Sequence, residues 1–309
     1  MIISTGMRTD IPAFYSKWFI ERLNAGYVCV KNPYNEHQVT RYELNPSVVD
    51  CICFCTKNPM PLLPHIDKEL KPYNQFWFVT ITPYGKDIEP NVPPKNKVIE
   101  AFKTLSKKLG KNAVCWRYDP IFYDNGWTKE KHIEMFTKIA QELKEYTKVC
   151  VISILDLYEK VKRNAPGIYP PSQKEQLELL KELVKVAKDN DIVIKGCYEG
   201  KFLEDVGVDC SGCQTQQTIE LAIGQKLNVP NRKNARGACA CLLGQDIGAY
   251  NTCLHLCKYC YANADKSVVL QNAKKHSDSS PLLVGELCPE DIVTNAVQRS
   301  YINTQLSLF

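Results

Sequence analysis

The sequence predicts an α/β fold, arranged as a (β/α) barrel or partial barrel of about six parallel strands. Six short apolar runs, rich in β-branched and aromatic residues, recur within the first 200 residues, and amphipathic helical patterns lie between them. Polar side chains follow the end of each run. This alternation is typical of β-α-β crossovers, which join neighbouring strands in parallel.

The strands and helices can be placed in order along the chain. Strands are expected at residues 1–5, 48–55, 75–82, 113–118, 148–154 and 191–196. Helices are expected at residues 13–24, 95–109, 129–146 and 173–188, and Ser172 with Glu175 forms a capping box at the start of the last one. The pattern then predicts a helix at 215–227, a cysteine-rich loop at 237–263 and a final helix at 289–301 that begins with its proline.

Length and composition bound the domain organisation. With 309 residues, of which 44% are apolar, the chain can bury a sizeable core. No linker-like or repeated segment interrupts it. We therefore predict a β/α (partial) barrel at residues 1–200 and a C-terminal cysteine-rich, cluster-binding region at residues 201–309 that packs onto the barrel.

The N-terminal sequence and the charge balance favour a cytoplasmic protein without a membrane partner. No basic stretch followed by an apolar run opens the chain, and no segment approaches the roughly 18 uncharged apolar residues of a membrane span. The net charge of +5 is a mild excess, dispersed along predicted helices. It permits an anionic partner such as nucleic acid but does not require one.

Cysteine spacing is the most specific signal for chemistry. The chain has 15 cysteines, which in a reducing cytosol indicate metal binding more than disulfides. Cys253, Cys257 and Cys260, called the triad below, are spaced four and then three residues apart. Because an iron-sulfur cluster normally takes four cysteine ligands, three compact thiolates leave one iron for a substrate or cofactor.

The same part of the chain offers a second metal site. Seven of the 15 cysteines lie between residues 210 and 260, and the four outside the triad are Cys210, Cys213, Cys239 and Cys241. Two close pairs of thiolates can converge on zinc or on an auxiliary iron-sulfur cluster. Cys197, at the end of the sixth predicted strand, is the expected replacement if one of the four, Cys213 first, faces away.

The stretch from Cys253 to Cys260 resembles the cluster loop of the radical S-adenosylmethionine (SAM) superfamily, including the aromatic Tyr259 before the third cysteine. The resemblance implies a 4Fe-4S cluster, SAM as its ligand and a reducing electron donor as a partner. It also implies that Tyr259 and Tyr261 border the adenosyl group, and that SAM is cleaved reductively to act on an unknown polar or anionic substrate. The superfamily generally carries its cysteines after the first strand, whereas here they follow six.

The whole chain resembles a bacterial family of unknown function. The family's N-terminal motif appears at residues 4–14 as Ser-Thr-Gly-Met-Arg-Thr-Asp-Ile-Pro-Ala-Phe. Further landmarks are Thr-Lys-Asn-Pro at 56–59, Trp-Arg-Tyr-Asp-Pro-Ile at 116–121 and the segment 239–263. One departure is Cys55, where the family usually has tryptophan. The family has been linked to radical SAM enzymes through its C-terminal cysteines, but the resemblance does not supply its reaction.

Five charged residues at predicted strand ends are candidate catalytic groups. In β/α barrels the reacting side chains lie at the carboxyl ends of the strands. Arg8 and Asp10 follow the first strand, Lys57 follows the second, and Arg117 and Asp119 follow the fourth. Each Arg–Asp pair can orient an anionic substrate or form a salt bridge.

Other interpretations of the cysteines stay open at this point. His255, inside the triad, is able to complete a closed zinc site, which would make the chain a zinc-stabilised, barrel-type protein that binds nucleic acid or another partner. A radical enzyme that repairs DNA lesions is a further alternative. Cys51, Cys53 and Cys55 share one strand face, where cysteine commonly acts as a small apolar core residue. Four isolated cysteines, Cys288 among them, are given no metal role.

Overall fold

Helices and strands alternate along most of the chain in the computed structural model, which describes residues 1–197, 199–230 and 240–303. In chain order the elements are β1 (Ile2–Ser4), α1 (Ile11–Phe14), α2 (Ser16–Ala25), β2 (Tyr27–Asn32), β3 (Asn35–Glu43), β4 (Cys51–Thr56), β5 (Gln75–Thr80), α3 (Lys95–Leu109), β6 (Val114–Ile121), α4 (Lys129–Leu143), β7 (Val149–Ile154), α5 (Glu159–Asn164), α6 (Gln173–Lys188), β8 (Val193–Gly196), α7 (Gln216–Ile223), β9 (Gln245–Asp246), α8 (Lys266–Lys274) and β10 (Ile292–Asn295). Short 3-10 helices lie at Met60–His65 and Lys201–Val206.

The main sheet has seven parallel strands in the order β8-β7-β6-β5-β4-β1-β9. Six of them are the strands that the sequence predicts, so the α/β class is confirmed. The seventh, β9, comes from the cysteine-rich segment and pairs with the free edge of β1. Beyond β8, Lys195 and Asp209 form a single parallel bridge. The arrangement is compatible with a partial (β/α) barrel.

Local sequence explains the best-formed elements. All six residues of β5 are buried, as expected for a parallel strand that is covered on both faces. In α3 the buried residues include Val98, Phe102 and Leu105, whose spacing of three and four places them on one helical face. Ser172 and Glu175 cap α6 with the reciprocal hydrogen bonds of a capping box, which confirms that prediction.

A second sheet has three strands in the order β10-β3-β2. Its antiparallel hairpin, β2 with β3, was not anticipated from the sequence. The predicted final helix at 289–301 is wrong, because Ile292–Asn295 is a strand that pairs in parallel with β3. The β-branched run Ile292-Val293-Thr294 is a poor helix former, and the edge of β3 offers backbone groups that it can satisfy.

The C-terminal segment also contacts the start of β1. The amine of Met1 forms an ion pair with the buried carboxylate of Asp50 and donates to the carbonyl of Arg299 at 2.8 Å. Asp50 in turn accepts from the Tyr301 amide at 2.9 Å. The division at residue 200 stays a prediction, although both regions contribute strands to the main sheet. Among the described residues, no helix combines the length and apolar character that a membrane crossing requires.

Candidate metal centre

The candidate site is built at the carboxyl ends of the parallel strands, which share one edge of the main sheet. The segments that leave this edge follow β1, β4, β5 and β6. Arg8, Asp10 and Lys57 lie in the segments that follow β1 and β4, whereas Arg117 and Asp119, expected after the fourth predicted strand, lie within β6 itself. The loop that bears the triad lies against the same edge, where His255 contacts Asp10.

Asp10 connects the sheet edge to the triad loop. Its buried carboxylate accepts from the Thr56 hydroxyl at 2.6 Å and from the Lys57 amide at 2.7 Å, and Nε2 of His255 lies 2.8 Å from it. It also caps α1 by accepting from the Ala13 amide at 3.0 Å. A carboxylate has about four acceptor positions, so this one is fully engaged. Asp10 therefore fixes three segments of the chain relative to one another.

Backbone contacts hold the triad loop against the turn that follows β5. The Lys258 amide donates to the carbonyl of Ile88 at 3.0 Å, and the Asn91 amide donates to the carbonyl of His255 at 3.2 Å. The side-chain amide of Asn91 donates to the carbonyl of Leu254 at 2.7 Å. These bonds satisfy polar groups of an irregular segment and give it a defined position.

The three triad cysteines are half-buried and close enough to influence one another. Burial raises the pKa of Cys253, and the charge of Cys260 raises it further. Burial also raises the pKa of Cys257 to about 12, with Lys57 opposing the shift. Within the described ranges, the triad is not a set whose ligand atoms all lie within 4.8 Å of one another. At least one pair of the triad sulfurs is therefore more than 4.8 Å apart.

A buried carboxylate that the sequence analysis missed, Glu89, lies beside the triad loop. It is 1% exposed and accepts from Nζ of Lys57 at 2.8 Å and from the hydroxyl of Thr82 at 2.6 Å. Lys95 and Tyr259 also donate to it. Burial would raise the pKa of Glu89, but the two lysines outweigh burial and lower it to about 2. The only sequence signal was an acidic residue in the loop after the third predicted strand, and such residues are usually solvated.

Lys57 lies between Glu89, the triad and the Arg117–Asp119 pair. Burial alone would lower the pKa of Lys57, but the negative charges of Glu89, Cys257 and Asp119 outweigh it and raise the pKa. Lys57 is therefore a fixed positive charge within the site.

The two tyrosines expected beside an adenosyl group differ in exposure. Tyr259 is 9% exposed, its hydroxyl donates to Glu89, and its ring centroid lies 5.6 Å from Nζ of Lys57. Tyr261 is 46% exposed, and its hydroxyl donates to the carbonyl of Met7. Tyr259 is thus a fixed inner wall of the site, whereas Tyr261 lies at its solvent-exposed side.

The two predicted Arg–Asp pairs have different partners. Arg117 forms an ion pair with Asp119, as the spacing suggested. Arg8 pairs instead with Asp246 at 2.5 Å and donates to the carbonyl of the same residue at 2.6 Å. The reason is β9, the unanticipated strand beside β1, which brings Asp246 to Arg8. Asp10 remains free to engage the triad loop.

The second group of cysteines forms around Cys213. Its sulfur lies 3.7 Å from that of Cys197 and 3.6 Å from that of Cys241. Cys210 points toward two backbone carbonyls, at 3.7 and 3.8 Å. Cys239 lies outside the described residues. The structure thus brings together two of the four predicted ligands and the expected replacement, Cys197, while Cys210 is the member that faces elsewhere.

Arg117 lies beside this second group. Its Nη1 donates to the sulfur of Cys55 at 3.6 Å, and its Nη2 is 3.9 Å from the sulfur of Cys197. A hydrogen bond from Cys213 and the charge of Arg117 lower the pKa of Cys197 to about 7, although burial opposes the shift. Among the described residues, Nε of Arg117 is a buried donor with no partner. Arg117 therefore lies between Cys55 and the second group of cysteines.

Comparisons with known proteins identify the family of this chain. The profile of a family described as a domain of unknown function, DUF1848, matches residues 2–262. No curated protein matches the sequence. The 1.55 Å crystal structure of the Xanthomonas citri FimX EAL domain in complex with c-diGMP is similar at 9% identity with a TM-score of 0.21, over 64% of this chain and 90% of that chain. A TM-score at this level supports no conclusion about this chain.

Proposed function

This chain belongs to the DUF1848 family, a domain of unknown function, and we propose that it is a radical SAM enzyme. The observation that carries the proposal is the position of the triad. A loop with three half-buried cysteines lies against the carboxyl edge of a parallel sheet, next to a buried network of Lys57, Glu89 and Tyr259. In β/α folds this edge is where reacting groups are placed.

The triad is the proposed site of a 4Fe-4S cluster. Its three half-buried thiols would supply three of the four cysteine ligands that such a cluster normally takes and would leave one iron open to SAM. Bound there, the cluster would pass an electron from an external reductant to SAM and so break a carbon–sulfur bond of the cofactor. Tyr259 and Tyr261 would border the adenosyl group.

The chain's own residues would shield and position the reactants. Tyr259 packs with Tyr84 and Phe122 in an apolar cluster that also contacts Cys257, so one side of the triad is sheltered from water. Lys57 places a positive charge near Cys257, which lowers the cost of a thiolate at that position.

The Arg117–Asp119 pair is the proposed contact for a polar or anionic substrate. A guanidinium presents planar donors that match a carboxylate or phosphate, and Nε of Arg117 has no partner among the described residues. Arg8 pairs with Asp246 and Asp10 binds the segments around it, whereas Arg117 and Asp119 bind each other and Asp119 also accepts from Ser153. We therefore propose that Arg8 and Asp10 position the loops and that Arg117 and Asp119 face the substrate.

For the second group of cysteines we propose a closed site that holds zinc or an auxiliary iron-sulfur cluster. Cys213 and Cys241 would be two ligands, since their sulfurs are 3.6 Å apart. Cys197, whose sulfur is 3.7 Å from that of Cys213, would be the third ligand, and Cys239, which lies outside the described residues, is the candidate for the fourth. Closed four-thiolate sites contribute free energy to folding, so this site would stabilise the C-terminal third.

The test is anaerobic purification followed by incubation with SAM and a reductant. We expect brown protein whose absorbance bleaches on reduction, and a paramagnetic signal that SAM perturbs. Identification of the cleavage product would show whether an adenosyl, methyl or aminocarboxypropyl group is transferred. Colourless protein that retains stoichiometric zinc after anaerobic reconstitution would refute the proposal and favour a zinc-stabilised binding protein.

A further inference from the structure

The small sheet gathers three metal-ligating side chains that the proposed function does not use. A ring nitrogen of His37, Sγ of Cys288 and a carboxylate oxygen of Asp291 all lie within 4.8 Å of one another. Nδ1 of His37 is 3.6 Å from Oδ1 of Asp291. In the part of the chain that the structure describes, this is the one set of three His, Cys, Asp or Glu residues that meets this distance.

The register between β3 and β10 produces this arrangement. His37 lies in β3 directly before Gln38, and Gln38 pairs with Ile292, the residue that follows Asp291. The Cys288 amide donates to the carboxylate of Asp291 at 3.0 Å, and the Asp291 amide donates to the carbonyl of Cys288 at 3.0 Å. The side chain of Asp291 is 0% exposed. Three ligands from segments about 250 residues apart in sequence are thus held in place by backbone hydrogen bonds.

We propose that His37, Cys288 and Asp291 bind a zinc ion that clamps the C-terminal segment to the β2–β3 hairpin. Imidazole, thiolate and carboxylate are the three side-chain ligands that zinc uses, at about 2.0–2.3 Å from the ion. The 3.6 Å between the His37 and Asp291 donor atoms is close to the separation of two ligands on one tetrahedral ion. Three protein ligands leave the fourth position to water or to an exchangeable ligand.

Lys31 allows zinc binding by Asp291 to be distinguished from a purely structural role of this residue. Its Nζ lies 3.4 Å from the carboxylate of Asp291, so the ammonium competes with a metal ion for the same oxygens. Zinc binding would have to displace this ammonium, because two positive charges at such a distance repel each other. Replacing Lys31 with an uncharged residue of similar length should therefore strengthen zinc binding, whereas a purely structural role for Asp291 would not produce that gain.

Zinc and cobalt titrations of the 309-residue chain test the proposal. The parent and the variants are purified under identical conditions, so that the other cysteine sites contribute the same amount of bound metal in each. The parent should bind one more ion per chain than Cys288→Ser or His37→Gln. Its cobalt complex should show a sulfur-to-metal absorption band that Cys288→Ser lacks. The Glu286→Gln control, which changes an exposed carboxylate two residues before Cys288, should match the parent. Lys31→Met should bind zinc about three- to tenfold more tightly.

Thermal unfolding gives a second measurement. Zinc should raise the melting temperature of the parent and of Glu286→Gln, and should leave the melting temperatures of Cys288→Ser and His37→Gln unchanged. Equal ion stoichiometry and equal cobalt spectra in the parent and Cys288→Ser would overturn the proposal. So would a Lys31→Met variant that binds zinc no more tightly than the parent. The exposed position of His37, whose side chain is 52% accessible, makes His37→Gln a variant that should fold normally.

Discussion

Nε2 of His255 lies 2.8 Å from the carboxylate of Asp10, although 245 residues separate them in the sequence. Nδ1 of the same ring faces the carbonyl of Asn91 at 3.4 Å, and Phe14 packs edge-on against it with ring centroids 4.5 Å apart. Both ring nitrogens of His255 are thus directed at oxygen atoms. This favours a supporting role for His255 in the triad loop over a role as a fourth metal ligand.

Removing this support should loosen the triad without unfolding the sheet. We expect His255→Ala to reduce iron content and SAM cleavage about 10- to 100-fold, the usual cost when a residue that orients metal ligands is lost. The measurement is iron per chain and cleavage rate after anaerobic reconstitution. His65→Ala is the matched control, because His65 pairs with Glu69 on a partly exposed 3-10 helix. Full iron content and normal cleavage in His255→Ala would contradict the assignment.

The triad itself gives a sharper prediction. Cys253→Ala, Cys257→Ala and Cys260→Ala should each abolish SAM cleavage, and each should leave the circular dichroism of the α/β fold in place, because the triad loop lies outside the strands of the main sheet. Cys29→Ala serves as the control, since Cys29 is buried in the small sheet against Val39 and Leu282. A triad variant that cleaves SAM at the parental rate would exclude this cluster site.

We expect the charge of Glu89 to stabilise the fold, because Lys57 and Lys95 both form ion pairs with it. We expect Glu89→Gln to lower the free energy of unfolding by about 3–5 kcal/mol, which is the usual cost of removing one partner of a buried ion pair. Thr82→Val, which removes a neutral hydroxyl that donates to Glu89 and accepts from Lys95 at 3.4 Å, should cost about 1 kcal/mol. Urea denaturation measures both. Equal losses for the two variants would show that the charge of Glu89 is not what holds this network.

The same carboxylate predicts a pH dependence. The pKa of Glu89 is lowered from 4.5 to about 2, so the unfolded chain binds a proton more readily than the folded chain between these values. The stability that Glu89 contributes is therefore complete above about pH 4.5 and is lost as the pH falls toward 2, a loss of about 3 kcal/mol. The difference in unfolding free energy between the parent and Glu89→Gln should narrow over this range. A constant difference from pH 6 to pH 2.5 would contradict the prediction.

The second group of cysteines can be tested by comparing its members. Cys213→Ser, Cys241→Ser and Cys197→Ser should each reduce the metal that remains after the triad is disabled, and should lower the melting temperature of the protein. Cys210→Ser should retain this metal, because the sulfur of Cys210 points toward backbone carbonyls. Elemental analysis of the four variants in a Cys257→Ala background provides the measurement. Retention of metal in Cys213→Ser would argue against a site at this position.

The sequence by itself determined the α/β class, the six parallel strands and several helix boundaries. The predicted helices at 95–109 and 173–188 coincide with α3 and α6. These features were predictable because they depend on neighbours in the chain: apolar residues at intervals of two or of three to four, and a cap such as Ser172 with Glu175. The triad was also visible, since its three cysteines are close in sequence.

Tertiary structure decided which distant residues meet. Sequence patterns did not reveal that Asp246 would be the partner of Arg8, that Glu89 would be buried between two lysines, or that residues 292–295 would add a strand to β3. Each of these outcomes depends on sheet register and on which strand edge is left unpaired. Those are properties of the assembled sheet, and no local periodicity encodes a partner more than 200 residues away.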